Sequence, residues 1–489
     1  MPSATALAAQ VVCAGFEGTG PDDAPLERLE SLGMRTVVLF ARNASPPQGL
    51  RELTSALQES LADDLPALIA IDQEGGAVAR LFEGVTQLPS MLALGSTRDG
   101  GLARRAGRRL GNDLRRLGVN VDFAPVLDLA VEPKNTVIGD RSFGADPQTV
   151  AAMGCAFAEG LRDGGTLAVG KHFPGHGATH ADSHHELPVL DVDESTWRVR
   201  DLVPFARAIA SGIPALMVSH VVLRAIDPLH PASRSGAIVQ GVLRSQLRFE
   251  GAVFSDCLEM AGAGLPVAQS APMAIAAGID CVVVSHRLDL AAGAIAAIAR
   301  AAEDGVLPMQ RLAEASERMR ALRAAIPALP SDAGGDTDVG LLIARATLRI
   351  VRGSLALPPG AAVTVISFED AERPSLAAQL RQRGMKSEMM RVALDPREED
   401  LDVLEMVLRG LAGRYMVIVT RRAHLHRAQA AAVSRLLRIF PEAIVLSARE
   451  PYDAELFGAA RNLACSYDDT AASMAAAAEA ITRHPAAVR

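Results

Sequence analysis

Short runs of apolar residues recur along the first two thirds of the chain, and the longer segments between them carry apolar residues at helical spacing. These runs predict eight strands, over residues 11–16, 36–40, 67–71, 120–124, 167–170, 215–218, 252–255 and 280–284. Near-continuous apolar strands alternating with helices are typical of a parallel sheet covered on both faces. Eight such units within about 300 residues predict a (β/α)8 TIM-like barrel. An open doubly wound sheet is the alternative.

A second, smaller α/β domain is predicted after a stretch rich in Pro, Gly, Ser and Asp at residues 326–338. We expect the barrel over residues 1–328, a linker over 329–340 and a C-terminal α/β sandwich domain over 341–489. Strands are predicted at 362–367, 415–420, 443–446 and 462–467, and helices at 374–383, 423–440 and 470–483. This domain carries no glycine-rich phosphate-binding motif, so nucleotide binding is not supported.

Polar residues follow six of the predicted barrel strands, at their ends or a few residues later. The ends of strands three to eight run into Asp72-Gln-Glu, Asp128, Lys171-His, Ser219-His, Ser255-Asp and Ser285-His. Catalytic residues of such barrels lie at the carboxyl ends of the strands. We therefore expect these side chains to form one site. Capping of a following helix is the alternative reading for Asp128 and Asp256.

Five of the eleven histidines lie within fourteen positions, at 172, 176, 180, 184 and 185. A metal site, a solvated loop without a role and a mobile catalytic loop are the three readings. Pro174, Gly175 and Gly177 interrupt any local ligand spacing, so we favour the catalytic loop. In that loop Asp182 can orient the His184 imidazole for proton transfer.

Composition excludes several other classes of protein. The 489 residues are 49% hydrophobic and 22% charged, which is ordinary globular composition. A net charge of −8 gives no electrostatic footprint for nucleic acid or an anionic membrane. No apolar run reaches the ~18 residues of a membrane-spanning helix. The apolar N-terminus lacks a preceding Lys or Arg and is expected to begin the fold, with a secretory signal as the alternative.

Five widely spaced cysteines without a Cys-x-x-Cys motif indicate reduced thiols in a cytoplasmic protein. We expect no metal and no cofactor.

Five motifs carry a family resemblance. They are Ile71-Asp-Gln-Glu-Gly-Gly with Arg80, Gly139-Asp-Arg-Ser-Phe-Gly, Lys171-His-Phe-Pro-Gly-His-Gly, Asp182-Ser-His and Phe254-Ser-Asp-Cys-Leu-Glu-Met. In this order they closely resemble family 3 glycoside hydrolases. The Asp-Ser-His element resembles the β-N-acetylglucosaminidase (NagZ-like) branch, in its two-domain form.

The resemblance implies a role for each matching residue. Asp256 corresponds to the catalytic nucleophile, and Asp182 and His184 to a dyad in which His184 is the general acid and base. The positions that bind the sugar in the −1 subsite correspond to Asp72, Arg80, Arg141, Lys171 and His172. Cys257 departs from the family, because many relatives carry an acidic residue there. Trp197 is the sole tryptophan, so sugar stacking on tryptophan is not expected to be the main binding device.

The implied activity is that of a retaining exo-β-N-acetylglucosaminidase (β-N-acetylhexosaminidase) acting through a covalent glycosyl-enzyme intermediate. Its expected substrates are muropeptide or chitin-type oligosaccharides, with a place in cytoplasmic peptidoglycan recycling. A phosphorylase using inorganic phosphate is the close alternative. A β-glucosidase or xylosidase is disfavoured by the Asp-Ser-His element, and a non-catalytic sugar-binding protein by the complete set of catalytic residues. The sequence leaves the oligomeric state open.

Overall fold

The computed structural model describes residues 2–179, 187–330, 338–411 and 413–483, which form two compact units. The first unit contains a closed barrel of eight parallel strands that neighbour one another in chain order. They are β1 (Val12–Ala14), β2 (Thr36–Leu39), β3 (Leu68–Ile71), β4 (Val121–Asp122), β5 (Leu167–Phe173), β6 (Ala215–Val218), β7 (Ala252–Cys257) and β8 (Cys281–Val284). The predicted barrel is confirmed, and the open-sheet alternative is wrong.

Two barrel strands are longer than predicted. The strand β5 continues through Lys171 and His172 to Phe173, and β7 continues through Asp256 to Cys257. These polar residues were expected in loops after the strands. Their backbones instead belong to the barrel wall, which holds their side chains more rigidly than a loop would.

Helices connect the barrel strands, and several begin at a side-chain cap. Asp99 accepts a hydrogen bond from the Leu102 N–H, and Asp146 accepts one from the Thr149 N–H just before a first-turn proline. The barrel unit's α-helices are Ala4–Gln10, Leu26–Ser31, Pro47–Leu61, Gly100–Arg116, Pro147–Asp163, Glu194–Val199, Leu202–Ala210, Val267–Ala277, Leu288–Glu303 and Met309–Ala324. A π-helix spans Ala237–Gln246.

The barrel interior is a packed apolar core and not a channel. Inward side chains from all eight strands meet there, including Val38, Ala70, Phe123 and Phe254. Met319 and Leu322, on helix Met309–Ala324, pack against the same cluster. The core therefore fixes the strands whose carboxyl ends carry the polar residues.

The second unit is built on a six-stranded sheet. Its strands are β9 (Arg349–Arg352), β10 (Ala362–Phe368), β11 (Lys386–Val392), β12 (Tyr415–Arg421), β13 (Ile444–Ala448) and β14 (Asn462–Cys465), in the order β9-β14-β13-β12-β10-β11. Only β9 pairs antiparallel with its neighbour. The unit's helices are Met91–Thr97, Val339–Thr347, Leu376–Gln382, Glu398–Arg409, Arg427–Ile439, Asp453–Leu456 and Ala471–Thr482.

Alternate residues of this sheet enter two separate cores. Val417 and Val419 of β12 pack with helices Leu376–Gln382 and Ala471–Thr482, whereas Met416 and Ile418 pack with Glu398–Arg409 and Arg427–Ile439. Helices therefore cover both faces, and the predicted α/β sandwich is confirmed. The sequence missed the two edge strands, β9 and β11, and the helices Val339–Thr347, Glu398–Arg409 and Asp453–Leu456. All four residues of β9 are exposed, so no apolar run marks it.

The second unit also includes Gly75–Ala77 and Gln87–Thr97, which precede most of the barrel in the chain. The Ser90 N–H donates to Asp468 Oδ1 at 3.1 Å, and helix Met91–Thr97 packs against helix Val339–Thr347. The boundaries expected at residues 328 and 341 stay a prediction.

Candidate active site

One cavity of about 450 Å³ is lined by residues at the carboxyl ends of the barrel strands. Six of the eight site residues named from the sequence line it together: Asp72, Arg80, Arg141, Lys171, His172 and Asp256. The other two, Asp182 and His184, lie outside the described residues. Of these six, Asp72, Lys171, His172 and Asp256 are strand-end residues, and the structure places their side chains on one cavity; their roles stay a prediction.

A buried network of opposite charges forms one wall of this cavity. Lys171 Nζ lies 2.5 Å from Asp72 Oδ1 and 2.6 Å from Glu74 Oε1. The Arg141 guanidinium binds Glu74 through two hydrogen bonds of 2.8 Å, a fork that matches carboxylate geometry. Arg80 Nη2 lies 4.0 Å from Asp72 Oδ2.

Glu74 and Arg141 stay ionised despite their burial. Burial alone would raise the pKa of Glu74, but the charges of Arg141 and Lys171 outweigh it and hold the pKa well below its usual range. Burial alone would lower the pKa of Arg141. The negative charge of Glu74 outweighs this effect, so the pKa of Arg141 is raised. At neutral pH the wall thus presents fixed charged donors and acceptors, which suit the hydroxyl groups of a sugar.

Asp128 orients the two histidines of the Lys171-His-Phe-Pro-Gly-His motif. Its Oδ2 lies 2.6 Å from His172 Nδ1 and accepts the His172 N–H at 3.0 Å, and its Oδ1 accepts the His176 N–H at 2.7 Å. Burial would raise the pKa of Asp128, but the neighbouring His172 outweighs it and the pKa is lowered. An ionised Asp128 assigns a proton to His172 Nδ1. The helix-capping reading of Asp128 is therefore wrong.

Asp256 lies on β7 and is partly exposed in the cavity. Its Oδ1 accepts the Cys257 N–H at 2.7 Å, and it forms no ion pair with any residue that the structure describes. Burial favours the neutral acid, but the imidazoles of His172 and His220 together with the Cys257 N–H outweigh it, so the pKa of Asp256 is lowered. The site thus holds an ionised carboxylate that pairs with no cation among the described residues.

Hydrogen bonds anchor the backbone that leads into the Asp182-Ser-His element. The indole N–H of the buried Trp197 donates to the Pro174 carbonyl at 2.9 Å. Asn135 Nδ2 donates to the His176 carbonyl at 2.9 Å and to the Thr179 carbonyl at 3.1 Å. A Cβ atom on Gly177 would lie 1.7 Å from the Leu129 carbonyl oxygen. Backbone and side chains therefore fix this segment up to the limit of the described residues.

The sequence did not assign roles to several residues that the structure places in or beneath the cavity. Glu74 and His176 line it, and both stand within the motifs that carried the resemblance. His220 is fully buried, with Nε2 2.9 Å from the Cys257 carbonyl oxygen. Burial lowers the pKa of His220, and the contact of its ring with the Cys257 carbonyl supports the end of β7. All three residues lie at or after the end of a predicted strand, and this position in the sequence could have identified them.

Three potential metal ligands meet on the cavity lining, where β7 and β8 end side by side. Glu259 Oε2 lies 3.7 Å from Cys257 Sγ and 3.6 Å from His286 Nδ1, and it accepts the His286 N–H at 2.7 Å. Burial raises the pKa of Cys257 to about 11, so the free thiol is protonated. All five cysteines are buried and form no disulfide, as predicted.

A protein-family model matches the part of the sequence that forms the barrel. The model described as Glycosyl hydrolase family 3 N terminal domain matches residues 14–322. The chain belongs to glycoside hydrolase family 3. The "Beta-hexosaminidase" of Nitrosomonas eutropha is 42% identical over 263 residues, which cover 52% of this chain and 74% of that protein. That of Chromobacterium violaceum is 40% identical over 315 residues, covering 63% and 84%.

Solved structures resemble the whole family 3 chain and not only its barrel. A family 3 β-N-acetylglucosaminidase from Paenibacillus sp. str. FPU-7 matches with a TM-score of 0.91 at 32% identity, covering 99% of this chain and 97% of that one. The β-glucoside phosphorylase BglX matches with a TM-score of 0.79 at 20% identity, covering 98% and 92%, which shows the shared fold alone. Within the described residues, no helix has the length and hydropathy needed to cross a membrane.

Proposed function

We propose that this glycoside hydrolase removes terminal β-linked N-acetylglucosamine with retention of configuration, through a covalent intermediate on Asp256. The observation that carries the proposal is the ionised Asp256 carboxylate, which faces the cavity without an ion-pair partner among the described residues. The choice of sugar is supported by the β-hexosaminidase and β-N-acetylglucosaminidase relatives at 32–42% identity and by the Asp182-Ser-His element.

In the first step an Asp256 oxygen attacks the anomeric carbon, and the bond from that carbon to the glycosidic oxygen breaks. His184, oriented by Asp182, gives a proton to the departing oxygen. The role of this dyad rests on the family resemblance, because both residues lie outside the described residues. Imidazole has an ordinary pKa of about 6.5, which suits a group that first donates and then accepts a proton near neutral pH.

In the second step water attacks the same carbon, and the bond to Asp256 breaks. His184 takes the proton from that water, which returns both groups to their starting states. Two displacements at one carbon restore the original configuration. The wall that contains Asp72, Lys171 and Arg141 binds hydroxyl groups and keeps the anomeric carbon aligned with Asp256.

Hydrolysis of aryl β-N-acetylglucosaminide and aryl β-glucoside at matched concentrations, with inorganic phosphate varied, tests this proposal. We expect kcat/KM to be at least about 100-fold higher for the N-acetyl substrate, the discrimination that contact with one additional small group supplies. Free N-acetylglucosamine should be the product at every phosphate concentration. A sugar 1-phosphate would identify a phosphorylase, and a preference for glucoside would contradict the assigned sugar.

The same proposal includes the natural substrates, which are muropeptide or chitin-type oligosaccharides. It also includes a place in cytoplasmic peptidoglycan recycling. The two substrate classes are distinguished by assaying the enzyme in parallel on a muropeptide that carries N-acetylglucosamine and on chitobiose. A higher kcat/KM for the muropeptide would assign it as the natural substrate, and a higher kcat/KM for chitobiose would assign chitin fragments. Equal rates on both would favour an enzyme that recognises only the terminal sugar.

A further inference from the structure

We propose that Cys257, Glu259 and His286 form a binding site for a borderline-soft divalent cation such as Zn²⁺, and that the bound cation inhibits hydrolysis. The three side chains offer a thiolate, a carboxylate and an imidazole, the ligand types that zinc takes in proteins. Their ligand atoms all lie within 4.8 Å of one another. The proposal concerns the metal and does not depend on which sugar the enzyme removes.

The two distances from Glu259 to the other ligands fit one tetrahedral ion. Bond lengths of about 2.3 Å to sulfur and about 2.1 Å to nitrogen or oxygen place tetrahedral ligand atoms roughly 3.4–3.6 Å apart. Glu259 Oε2 lies 3.7 Å from Cys257 Sγ and 3.6 Å from His286 Nδ1. A single carboxylate oxygen thus stands at nearly the right separation from both other ligands, and small side-chain rotations close the remaining gap.

The framework that carries these ligands is fixed by barrel pairing. Cys257 ends β7 and is registered against Val283 of β8, and the Leu258 N–H donates to the Val283 carbonyl at 2.9 Å. His286 follows β8 by two residues, and its ring lies 5.8 Å from the Phe40 ring. Two adjacent strand ends therefore bring together ligands that are 29 residues apart in the chain. This spacing explains why the sequence predicted no metal.

Inhibition follows from the position of the site. All three residues line the cavity that contains Asp256, the residue immediately before Cys257. Three protein ligands leave the fourth position of a tetrahedral ion for water, as in zinc sites that keep an open position. A divalent charge here attracts the Asp256 carboxylate and narrows the space for substrate. Binding converts the Cys257 thiol to a metal thiolate and releases its proton to solvent.

A spectroscopic titration of the untagged full-length protein with Co²⁺ tests the site without using its activity. We expect a thiolate-to-cobalt absorption band that saturates at one equivalent and disappears when Zn²⁺ is added. Cys257→Ser should abolish the band. His286→Asn and Glu259→Gln should weaken Zn²⁺ binding, measured by calorimetry, by more than about 100-fold, the upper end for losing a group that only supports a ligand.

His230→Asn is the matched control, because His230 is another exposed barrel histidine beside a carboxylate, with Nδ1 3.2 Å from Asp227. This variant should bind Zn²⁺ with unchanged affinity. In activity assays Zn²⁺ should inhibit the wild type and the control, but not a folded Cys257→Ser variant at the same concentration. Absence of the thiolate band, or Zn²⁺ affinity unchanged by Cys257→Ser, would overturn the proposal. Failure of the sugar assignment would leave the cobalt titration unaffected.

Discussion

Glu74 is the residue on which the charged wall of the active site depends, because it binds both Arg141 and Lys171 while only 1% exposed. Removing one partner of a buried ion pair costs about 3–5 kcal/mol. Glu74→Gln keeps the shape of the side chain, and Asp72 still pairs with Lys171. We therefore expect a loss of about 3 kcal/mol in the free energy of unfolding at pH 7, measured by urea denaturation.

That loss should depend on pH in a defined direction. The pKa of Glu74 is lowered in the folded protein, so the unfolded chain takes up the proton first as the pH falls. Its stabilising effect is complete above the unfolded value of about 4.3 and declines below it. The difference between wild type and Glu74→Gln should shrink below pH 4.3. A difference that grows with acidity would contradict the charge assignment.

Asp128 shows how a residue can act on the site through others. It holds the His172 ring and the backbone of both His172 and His176. In Asp128→Asn the His172 Nδ1 loses its charged acceptor, so the ring is free to change tautomer. We expect kcat to fall by about 10-fold or more with a small change in KM, the behaviour of a lost transition-state interaction.

Asp146→Asn is the matched control for this substitution, because Asp146 caps a surface helix in the same barrel and asparagine is as good a cap. Its kinetic constants should equal those of the wild type. An equal fall of kcat in both variants would assign the effect of Asp128→Asn to general destabilisation.

At the scale of single residues, the motifs named from the sequence supplied most of the residues that line the cavity. Asp72, Lys171 and Asp256 were named because they follow apolar strands within long motifs, and Arg141 because it stands in a motif of its own. Cys257, Glu259 and His286 were not foreseen as a cluster, because their meeting depends on the register of β7 against β8. Sequence spacing carries no information on that register.

At the scale of elements, the segment after β5 is held by close backbone contact. Gly177 leaves no space for a side chain, because a Cβ would lie 1.7 Å from the Leu129 carbonyl oxygen. Gly177→Ala must displace this segment, and overpacking of this kind costs about 1–3 kcal/mol. We expect a lower melting temperature and a larger fall in kcat/KM than stability alone explains, since the dyad follows directly.

A glycine with open space around it provides the comparison. Gly293 lies within helix Leu288–Glu303, and a Cβ there would meet nothing within 4 Å. Gly293→Ala should leave kcat/KM unchanged and raise stability by up to about 1 kcal/mol. If both variants behave alike in activity, the close contact at Gly177 does not position the catalytic segment.

The elements themselves were predictable because buried parallel strands are apolar throughout. All eight barrel strands were recognised by that signal, whereas the exposed edge strand β9 has no apolar pattern and was missed. The predicted ends of β5 and β7 were too early, since charged residues normally mark a loop. Here Lys171 is tolerated within a strand because Asp72 and Glu74 neutralise it.

At the scale of the whole molecule, the two units are interleaved in sequence. Helix Met91–Thr97 belongs to the second unit and packs against Val339–Thr347, with Met91 and Leu94 buried. A chain truncated after residue 337 would leave this helix without its partner and expose those side chains. We expect it to aggregate or to melt at a lower temperature than the full chain, measured by size-exclusion chromatography and calorimetry. A monodisperse truncated protein with an unchanged barrel melting transition would contradict this expectation.

The central claim is that Asp256 attacks the anomeric carbon of a β-N-acetylglucosaminide. A fluorinated glycosyl donor that forms the intermediate quickly and releases it slowly tests it most directly, by peptide mass spectrometry of the trapped enzyme. We predict one equivalent of sugar on the peptide that contains Asp256, with fragmentation placing it on that carboxyl, and none on Asp256→Asn. A sugar attached to any other residue, or turnover without a covalent adduct, would contradict the account.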